Sequence, residues 1–390
     1  MGEPASLLPV LYDPPSDWSP GVQDHDPIVQ QLLSTCTSHS DSLPITRMKE
    51  LKKDPSASTI LVELACQDLV YASADHICVF PENTEDEVCE LARLQRYELD
   101  MKFAFSGTKA PFPTPCTLRE ALMRYCDITS LVKKRFLKAL AAYATSAADR
   151  DALLTLSSLK GKAEFVGRIQ EAYLHLIDLF KLFPSVKVPA GELVQLLGRI
   201  QPRYFTIASS PLQSPAALQM VLSVQKTLTF DGYVKTGLCS GYLQHIFHTA
   251  IYKPVRVFFK TSTFRLPQEP VPLLFVCNGA GIAPFRAFLQ DLQASSSEAK
   301  VLLFFGCPTR DAHFLFRKEL EEAIKPASGQ VLPYEHVSEV PAVQPVLTHL
   351  FCTFSRDQPA KVYVQSAVSA NAELVWEQVY NERASLLVCG

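Results

Sequence analysis

LLFVCNGAGIAPFRAFL, residues 273–289, is the stretch that decides the fold of the C-terminal part of this chain. An apolar run, as in a strand buried on both faces, precedes a Gly-Ala-Gly turn and a second apolar run with Pro284 near its start. Strand, turn and helix in this order are typical of a parallel α/β sheet. Gly279 and Gly281 let a ligand approach the backbone, and a helix N-terminus attracts a pyrophosphate. Similar turns also occur without a ligand, so the stretch alone leaves both interpretations open.

The alternation of strand and helix continues downstream. KVLLFFGCPTRDAHFLFRKEL, residues 300–320, has a second strand-turn-helix pattern. KVYVQS, residues 361–366, and LLVCG, residues 386–390, are predicted as further strands with a helix between them. These patterns together predict a doubly wound parallel sheet.

The upstream part combines strands with a long helical segment. Strands are predicted in ILVEL (60–64), HICVF (76–80), RYFTIAS (203–209), LQMVLSVQ (218–225) and VRVFFKTS (255–262). From about residue 84 to 200 the apolar residues instead follow helical spacing, as in FVGRIQEAYLHLIDLFKLF, residues 165–183. The sequence therefore predicts a β domain with a helical insertion, followed by an α/β domain.

Composition narrows the class of protein. The chain has 390 residues, of which 47% are hydrophobic and 20% charged, which is enough for two or more cores. A net charge of -3 argues against a nucleic-acid partner. The 11 cysteines are scattered singly, which indicates reduced thiols rather than a metal site. Without an apolar run of membrane-spanning length, the chain as written is expected to be cytoplasmic.

RYFTIASS, residues 203–210, places charge and aromatic rings on a short predicted strand. Strand alternation puts Arg203 and Phe205 on one face, and Tyr204 and Thr206 on the other. A core strand does not favour an arginine, whereas a planar, charged, hydrogen-bonding ligand would use all four side chains. The segment is therefore a candidate ligand site.

SRDQPAKVYVQ, residues 355–365, gathers Ser355, Arg356, Lys361 and Tyr363 around the start of a later predicted strand. Cations and a hydroxyl at strand ends of such a sheet suit a ribose 2'-phosphate, which distinguishes NADP(H) from NAD(H). A solvated loop before an edge strand is the alternative interpretation.

GLCSGYL, residues 237–243, is a small-residue turn ahead of a helical pattern. Its backbone N–H groups and the Ser240 hydroxyl could bind phosphate oxygens. Cys239 is interpreted as a small buried thiol rather than a nucleophile, because no histidine arrangement accompanies it.

In order and spacing these motifs resemble the C-terminal FAD/NADPH half of the diflavin reductases, the family that includes the cytochrome P-450 reductases. The resemblance runs from about Asp24 to Gly390 and includes YASADHICVFPEN, PFPTPCTLREAL, RYFTIASS, GLCSGYL, FRLP, GAGIAPFRAF and SRDQPAKVYVQ. It implies a ferredoxin-NADP reductase-like fold. Residues 24–267 would form an antiparallel FAD-binding β-barrel with a helical connecting insertion at about 84–200. Residues 268–390 would form the NADP(H)-binding sheet, and residues 1–23 a leader.

The resemblance also implies roles for residues at the FAD. Arg203 would neutralise the pyrophosphate, while Phe205 and Thr206 would be catalytic. The ring of Phe205 would stack on the isoalloxazine, and the Thr206 hydroxyl would lie near flavin N5. Further FAD contacts implied by the resemblance are Tyr204 and His76 on the adenosine side, and Gly237, Leu238, Cys239 and Ser240 at the flavin end and its phosphates.

For NADPH, the implied contacts lie in three segments. Gly279, Ala280 and Gly281 would hold the pyrophosphate and nicotinamide side, and Arg265 the phosphates. The 2'-phosphate end would contact Ser355, Arg356, Lys361, Val362, Tyr363, Val364 and Gln365. The implied activity is transfer of a hydride from NADPH to FAD, with electrons passed to an FMN-containing flavodoxin-like domain or protein and then to a haem acceptor such as a cytochrome P-450.

The sequence departs from the family pattern at several positions. Ala280 lacks a hydroxyl expected beside the nicotinamide, Tyr173 replaces a cofactor-facing arginine, and Ala74 replaces a turn glycine. The chain also ends at Gly390 and lacks the FMN domain that precedes this region in the family. We therefore expect a fragment or a reduced homologue that retains FAD binding but has impaired NADPH turnover.

Alternative functions remain open from sequence. A ferredoxin-NADP reductase, or electron transfer of the sulfite reductase or methionine synthase reductase type, uses the same cofactors. The helical insertion argues against the first of these. A non-catalytic flavin- or nucleotide-binding interaction protein belongs to a different class and is consistent with the departures above. An endoplasmic reticulum location is the alternative if an anchor and an FMN domain precede this segment.

Overall fold

The computed structural model describes residues 7–14, 28, 38–67, 69–106, 110–228, 234–324 and 345–390. The strands are β1 Val10–Tyr12, β2 Ser38–Leu43, β3 Ile45–Glu50, β4 Thr59–Ala65, β5 His76–Phe80, β6 Lys102–Phe105, β7 Cys116–Thr117, β8 Cys126–Asp127, β9 Gly198–Arg199, β10 Arg203–Thr206, β11 Ala217–Ser223, β12 Lys226–Leu228, β13 Val234–Thr236, β14 Val255–Lys260, β15 Leu273–Asn278, β16 Val301–Cys307, β17 His349–Phe354 and β18 Ser385–Cys389. Most of the predicted leader lies outside the described residues, but β1 pairs antiparallel with β6.

The α-helices are α1 Glu85–Gln95, α2 Leu118–Arg124, α3 Lys134–Leu140, α4 Ala147–Ser157, α5 Lys162–Phe165, α6 Leu176–Leu182, α7 Ala190–Leu196, α8 Leu238–Thr249, α9 Ile282–Ala294, α10 Arg310–His313, α11 Arg317–Glu322, α12 Val364–Ala370 and α13 Ala372–Trp376. Short 3₁₀ turns occupy Ala141–Tyr143 and Gly279–Gly281, and π-helical stretches occupy Val166–Glu171 and Glu377–Asn381. Helices α1 to α7 lie within the predicted helical insertion.

The chain divides into two compact units. The first comprises Met1–Thr35, Phe80–Arg203 and Gln225–His245, and the second comprises Cys36–Val79, Tyr204–Val224 and Ile246–Gly390. Each unit collects segments that are distant in sequence. The domain boundaries expected from the sequence, at residues 24, 267 and 268, remain predictions.

The first unit is built around helices with an aromatic centre. Helix α1 begins with a capping box, in which the Glu87 amide donates to the Thr84 hydroxyl and the Thr84 amide donates to the Glu87 carboxylate. In the core, the rings of Phe112 and Tyr125 stack with centroids 5.1 Å apart. Phe103 and Phe105 pack edge-to-face against Phe112. These rings and the buried faces of the helices form one continuous apolar cluster.

The second unit contains antiparallel sheets and one parallel sheet. The order β11-β4-β3 is antiparallel throughout, and in the sheet β10-β5-β14-β2 the pair β14 and β2 is antiparallel. The parallel sheet has the order β17-β16-β15-β18. Antiparallel strands followed by a parallel sheet agree with the predicted fold class.

Both faces of the parallel sheet are covered, as predicted for a doubly wound sheet. Leu273 and Phe275 of β15 pack in a cluster with α9, whereas Leu274 packs on the opposite face with Val364 of α12. Alternate residues of β15 therefore enter different cores, which explains why the strand reads as a continuous apolar run.

Three local predictions were incomplete or wrong. The segment KVYVQS does not form a strand. Tyr363 is extended and directly precedes α12, which begins at the buried Val364 and continues through small residues. The predicted helix at 165–183 is interrupted at Tyr173, which has a φ of 54°. Strand β17 was not predicted, and five of its six residues are only half-buried or exposed, which weakens the strand pattern.

The cysteines of the described part are all free thiols. Cys89 on α1 is exposed, whereas the other described cysteines are buried or half-buried. Burial raises the pKa of several of these thiols, including that of Cys307, to about 12.

Candidate functional site

The Gly279–Gly281 turn and residues 355–363 lie at the same edge of the parallel sheet, and we call them together the carboxyl edge. In the strand register, Asn278 of β15 is opposite Gly306 of β16, and Gly306 is opposite Thr353 of β17. The chain leaves β15 and β17 immediately after this row. Ligands of open α/β sheets bind outside the carboxyl ends of the strands, so the two segments, which were predicted separately, both lie at the edge where a ligand of such a sheet would bind.

The two glycines of the turn have different surroundings. Gly279 has a φ of 48°, and a Cβ atom at this position would have no neighbour within 4 Å. At Gly281 a Cβ would lie 2.5 Å from the carbonyl oxygen of Cys389. The turn is therefore open on one side and closed by the end of β18 on the other. Helix α9 starts directly after the turn, and the free N–H groups of a helix's first turn can bind a phosphate.

The segment after β17 presents polar side chains on an ordered backbone. The Ser355 amide donates to the Cys307 carbonyl at 3.0 Å, and the Arg356 amide donates to the Pro308 carbonyl at 2.7 Å. The side chains of Arg356, Lys361 and Tyr363 are exposed, with no hydrogen bond or ion pair to any described residue. Val362 is half-buried, Val364 is buried, and Gln365 is exposed. Cationic and hydroxyl groups here are available to an anionic ligand.

One buried hydroxyl near this edge has no partner. Thr353, which is 7% exposed, ends the row with Asn278 and Gly306, and its Oγ1 makes no hydrogen bond within the described part of the chain. A buried donor without a partner is costly. Together with the open side of Gly279, this orphaned hydroxyl indicates that the carboxyl edge fits a polar ligand such as a dinucleotide.

Exposure decreases steadily along β10 rather than alternating between two faces. Arg203 and Tyr204 are exposed, Phe205 and Thr206 are half-buried, and the chain is buried from Ile207. The first part of the strand is thus accessible to a ligand. The remainder belongs to the core of the second unit.

His76, Tyr204 and Lys260 form a polar cluster in the second unit. The rings of His76 and Tyr204 meet edge-to-face at 6.5 Å, and the Lys260 ammonium lies 5.6 Å from the Tyr204 ring centroid. The three residues line a pocket of about 440 Å³ together with residues 261–263. Burial, with a contribution from Lys260, lowers the pKa of His76. A neutral imidazole beside an exposed ring is suited to contacts with a planar base.

In the first unit, the GLCS segment begins α8. Ser240 donates to the Gly237 carbonyl at 3.1 Å and accepts from the Gln225 amide at 3.2 Å, so its hydroxyl already stabilises the turn. Leu238 is half-buried and Cys239 is buried. Burial raises the pKa of Cys239 to about 12, and the nearby Arg203 charge opposes this rise. The interpretation of Cys239 as a buried thiol is therefore confirmed.

Arg265 and Ala74 meet at a tight turn. The guanidinium of Arg265 pairs with the carboxylate of Asp75 and donates to the Ser73 carbonyl at 3.2 Å. Asp75 also accepts from the Ala72 and Ser262 amides. Ala74 adopts a φ of 63°, the left-handed conformation that a glycine adopts at lower cost. Arg265 is thus engaged within the chain, and its predicted phosphate contact stays a prediction.

Tyr173, predicted in place of a family arginine, lies beside a cation of the first unit. Lys235 donates from Nζ to the Tyr173 carbonyl at 3.0 Å and pairs with the Asp178 carboxylate. Burial and the Lys235 charge lower the pKa of His175 to about 4. Lys235, a cation from a different segment, therefore lies next to the Tyr173 backbone.

Sequence reasoning assigned no role to Asn278, Thr353 or Cys389. Cys389 is directly opposite Cys277 in the register of β18 and β15, and its carbonyl packs against Gly281. The motif VCG contained the only available signal, a small polarisable residue at the end of an apolar strand. Thr353 lies on a strand that was not predicted.

Comparison with known proteins places both halves of the chain in described families. Residues 36–242 match the FAD binding domain, and residues 275–390 match the oxidoreductase NAD-binding domain. The chain is similar to NADPH-cytochrome P450 reductase of Drosophila melanogaster, with 31% identity over 363 residues that cover 89% of this chain and 51% of the relative. The corresponding proteins of Cavia porcellus and Homo sapiens are 30% and 29% identical over 364 residues, with the same coverage.

This chain spans about half the length of these curated relatives. In the ranges that the structure describes, we find no helix with the length and apolar character needed to cross a membrane.

Proposed function

The chain belongs to the diflavin reductase family, with FAD and NADPH as the cofactors of its two nucleotide-binding domains, and from this premise we propose that it is an NADPH-dependent flavoprotein oxidoreductase. When bound, FAD supplies the chemistry of accepting two electrons from NADPH and releasing them one at a time. The protein contributes binding, orientation and charge. The observation that carries the proposal is the meeting of two separately predicted nucleotide segments at the carboxyl edge.

At the carboxyl edge, the proposed ligand is NADPH. The turn Gly279, Ala280 and Gly281 and the first turn of α9 would bind the pyrophosphate through N–H groups and the helix dipole. Arg356 and Lys361 would pair with the 2'-phosphate, helped by the hydroxyls of Ser355 and Tyr363, with Val362, Val364 and Gln365 as flanking contacts. Arg356 and Lys361 are exposed and have no hydrogen bond or ion pair within the described residues, which supports this assignment because their charges remain available to a ligand.

For FAD, the assignment follows the motifs. Arg203 is proposed to pair with the pyrophosphate, Phe205 to stack on the flavin ring, and the Thr206 hydroxyl to donate a hydrogen bond at the flavin. The remaining proposed contacts are Tyr204 and His76, the turn Gly237, Leu238, Cys239 and Ser240, and Arg265 at the NADPH phosphates. We further propose that the antiparallel strands close as the barrel of a ferredoxin-NADP reductase-like fold, with domains at 24–267 and 268–390.

The electron acceptor is proposed from the similar proteins. The relatives carry cytochrome P450 in their names. By analogy, electrons would pass to an FMN-containing domain or protein and then to a haem acceptor such as a cytochrome P-450. This step would need a partner that contributes the FMN and the haem.

The test is the visible spectrum of the purified chain before and after anaerobic addition of NADPH. Flavin bands that bleach with NADPH, and more slowly with NADH at equal concentration, are the expected result. Bands that persist would instead favour a flavin-binding module without this activity. A chain that binds no flavin after reconstitution with FAD would overturn the proposal.

A further inference from the structure

Arg286, a charged residue of α9, is buried between three structural elements. It is 8% exposed, and its guanidinium lies 4.6 Å from the Phe316 ring centroid. Its Nη1 donates to the Ala208 carbonyl and to the Gln219 Oε1, both at 2.7 Å, while Nε donates to Glu319 at 2.6 Å. A guanidinium is rigid and planar, so three acceptors on three elements leave it a single orientation.

Two further side chains of α9 make the same connection. Gln290 accepts from the Ser210 amide at 2.9 Å. Asp291 accepts from the Ser73 hydroxyl at 2.8 Å and from the Ser210 hydroxyl at 2.5 Å. Arg286 and Gln290 are four residues apart and therefore lie on one helix face, and Asp291 is the residue after Gln290. We call this contact the α9 seam, which comprises Arg286, Gln290 and Asp291 on the helix and Ser73, Ala208, Ser210 and Gln219 opposite.

The α9 seam joins the two segments that carry the proposed reaction. Ala208 follows Thr206 of β10 by two residues, and Arg286 follows the Gly279–Gly281 turn by five. The Arg286 bond to the Ala208 carbonyl therefore fixes how far the start of α9 lies from the end of β10. Apolar packing could provide comparable stability, since burying an ion pair is rarely a net gain. Directional hydrogen bonds instead specify one arrangement of the two segments.

We propose that Arg286 is a positioning residue that fixes β10 against the Gly279–Gly281 turn and so sets the rate of electron transfer from NADPH to FAD. The role rests on the proposed function. Within the described residues, no hydrogen bond joins Arg286 to Phe205, to Thr206 or to the turn, so it would act through Ala208 and through its own helix. Reacting groups tolerate little displacement, and a shift of about 1 Å costs on the order of 100-fold in rate.

The experiment compares Arg286→Lys and Arg286→Met with wild type and with Arg317→Met. Arg317 is a matched control because it is an arginine of the neighbouring helix whose pair with Glu321, at 2.9 Å, lies on the surface. Four quantities are measured: FAD content, the Kd for NADP⁺, the rate of flavin bleaching at saturating NADPH, and the primary isotope effect with NADPH deuterated at the transferred position.

We expect the Arg286 variants to bleach about 10- to 100-fold more slowly. The isotope effect should increase, and FAD content and the NADP⁺ Kd should remain within about twofold of wild type. Arg286→Lys should be the milder change, because lysine keeps the charge but reaches fewer acceptors. Arg317→Met should resemble wild type in all four quantities.

Other outcomes distinguish a failure of the positioning role of Arg286 from a failure of the proposed function. If wild type bleaches and both Arg286 variants bleach equally fast, Arg286 is only structural and the role is overturned. The same holds if slower bleaching is accompanied by equal losses of FAD and NADP⁺ binding. If Arg286→Met does not fold, Arg286→Lys decides by the same criteria. A wild-type chain that binds FAD without bleaching overturns the proposed function and this role together.

Discussion

The carboxyl edge includes the turn that precedes α9, the α9 seam lies on α9 itself, and the two regions use polar side chains in opposite ways. At the carboxyl edge, Arg356 is exposed and its side chain has no hydrogen bond or ion pair to a described residue. At the α9 seam, Arg286 is buried and has three acceptors within 2.7 Å. Helix α9 begins directly after the turn of the first region, and its buried side chains belong to the second.

This difference separates two uses of charge. Buried polar groups need hydrogen-bond partners within the fold, so removing one is expected to lower stability or to disturb the geometry around it. Exposed groups without partners add little to stability and remain available to a ligand. Substitutions at the carboxyl edge and at the α9 seam should therefore affect different measurements.

Arg356→Ala is the sharpest test of the carboxyl edge. Loss of a charge-assisted hydrogen bond should weaken NADPH binding by about 1.5–3 kcal/mol. NADH binding should be nearly unchanged, because NADH lacks the 2'-phosphate. Isothermal titration with both nucleotides measures the difference, and Lys318→Ala, at an exposed lysine of α11, is the control. Equal losses for the two nucleotides would mean that Arg356 supports the loop rather than the phosphate.

Gly281→Ala tests the closed side of the turn. The new Cβ would meet the Cys389 carbonyl oxygen at 2.5 Å and the Gly390 Cα at 2.8 Å, and both are backbone atoms. Overpacking of this kind should cost about 1–3 kcal/mol of unfolding free energy in urea. Gly198→Ala, where no atom lies within 4 Å of the new Cβ, is the matched control. An unchanged midpoint for Gly281→Ala would show that β18 moves away from the turn.

Thr353→Val tests the orphaned hydroxyl beside the carboxyl edge. Valine has nearly the same shape and removes a buried polar group that has no partner in the described residues. The ligand-free chain should gain about 1 kcal/mol in stability to urea. A loss of stability would contradict the assignment, because it would reveal a hydrogen bond from Thr353 to the protein.

Asp291→Asn should have the smallest effect, and the size of this effect depends on pH. Burial raises the pKa of Asp291 above its ordinary value of 3.8, against the hydrogen bonds from Ser210 and Ser73. The folded chain then holds this proton more tightly than the unfolded chain, so ionisation costs stability. The cost is absent below pH 3.8, grows as the pH rises through the folded pKa, and is complete above it.

Asparagine remains uncharged and still offers an oxygen to both serines. The variant should therefore melt slightly above wild type at pH 7, and this advantage should shrink towards pH 4. Thermal denaturation at both pH values measures it, with the exposed Asp311→Asn as control. A difference that does not change with pH would mean that the carboxylate is not destabilised by burial.

Local sequence patterns predicted the helices and strands that depend mainly on residues close to them in the sequence. Strand β15, its turn and α9 were predicted because an apolar run, two glycines and Pro284 follow one another. The strand predicted at 361–366 was wrong for a related reason. Alternating β-branched and aromatic residues favour a strand, whereas burial of Val364 against Leu274 and Phe304 depends on distant segments.

The sequence predicted the motifs of the candidate site better than it predicted the contacts that the residues of these motifs make. No local pattern shows that Asp75 engages Arg265, which lies 190 residues away. Likewise, an arginine in an apolar helix gives no indication that its acceptors are Ala208 and Gln219. Motifs record which groups are present, and tertiary structure decides which of them stay available.

Because the described cysteines differ in exposure, one of them can be labelled selectively. Thiol reagents attack the thiolate, and burial raises the pKa of thiols such as Cys307 and Cys352 to about 12. Cys89, exposed on α1, is the described thiol that a maleimide dye would reach first. A fluorophore could thus be attached to the first unit of the native sequence and read at wavelengths where flavin does not absorb.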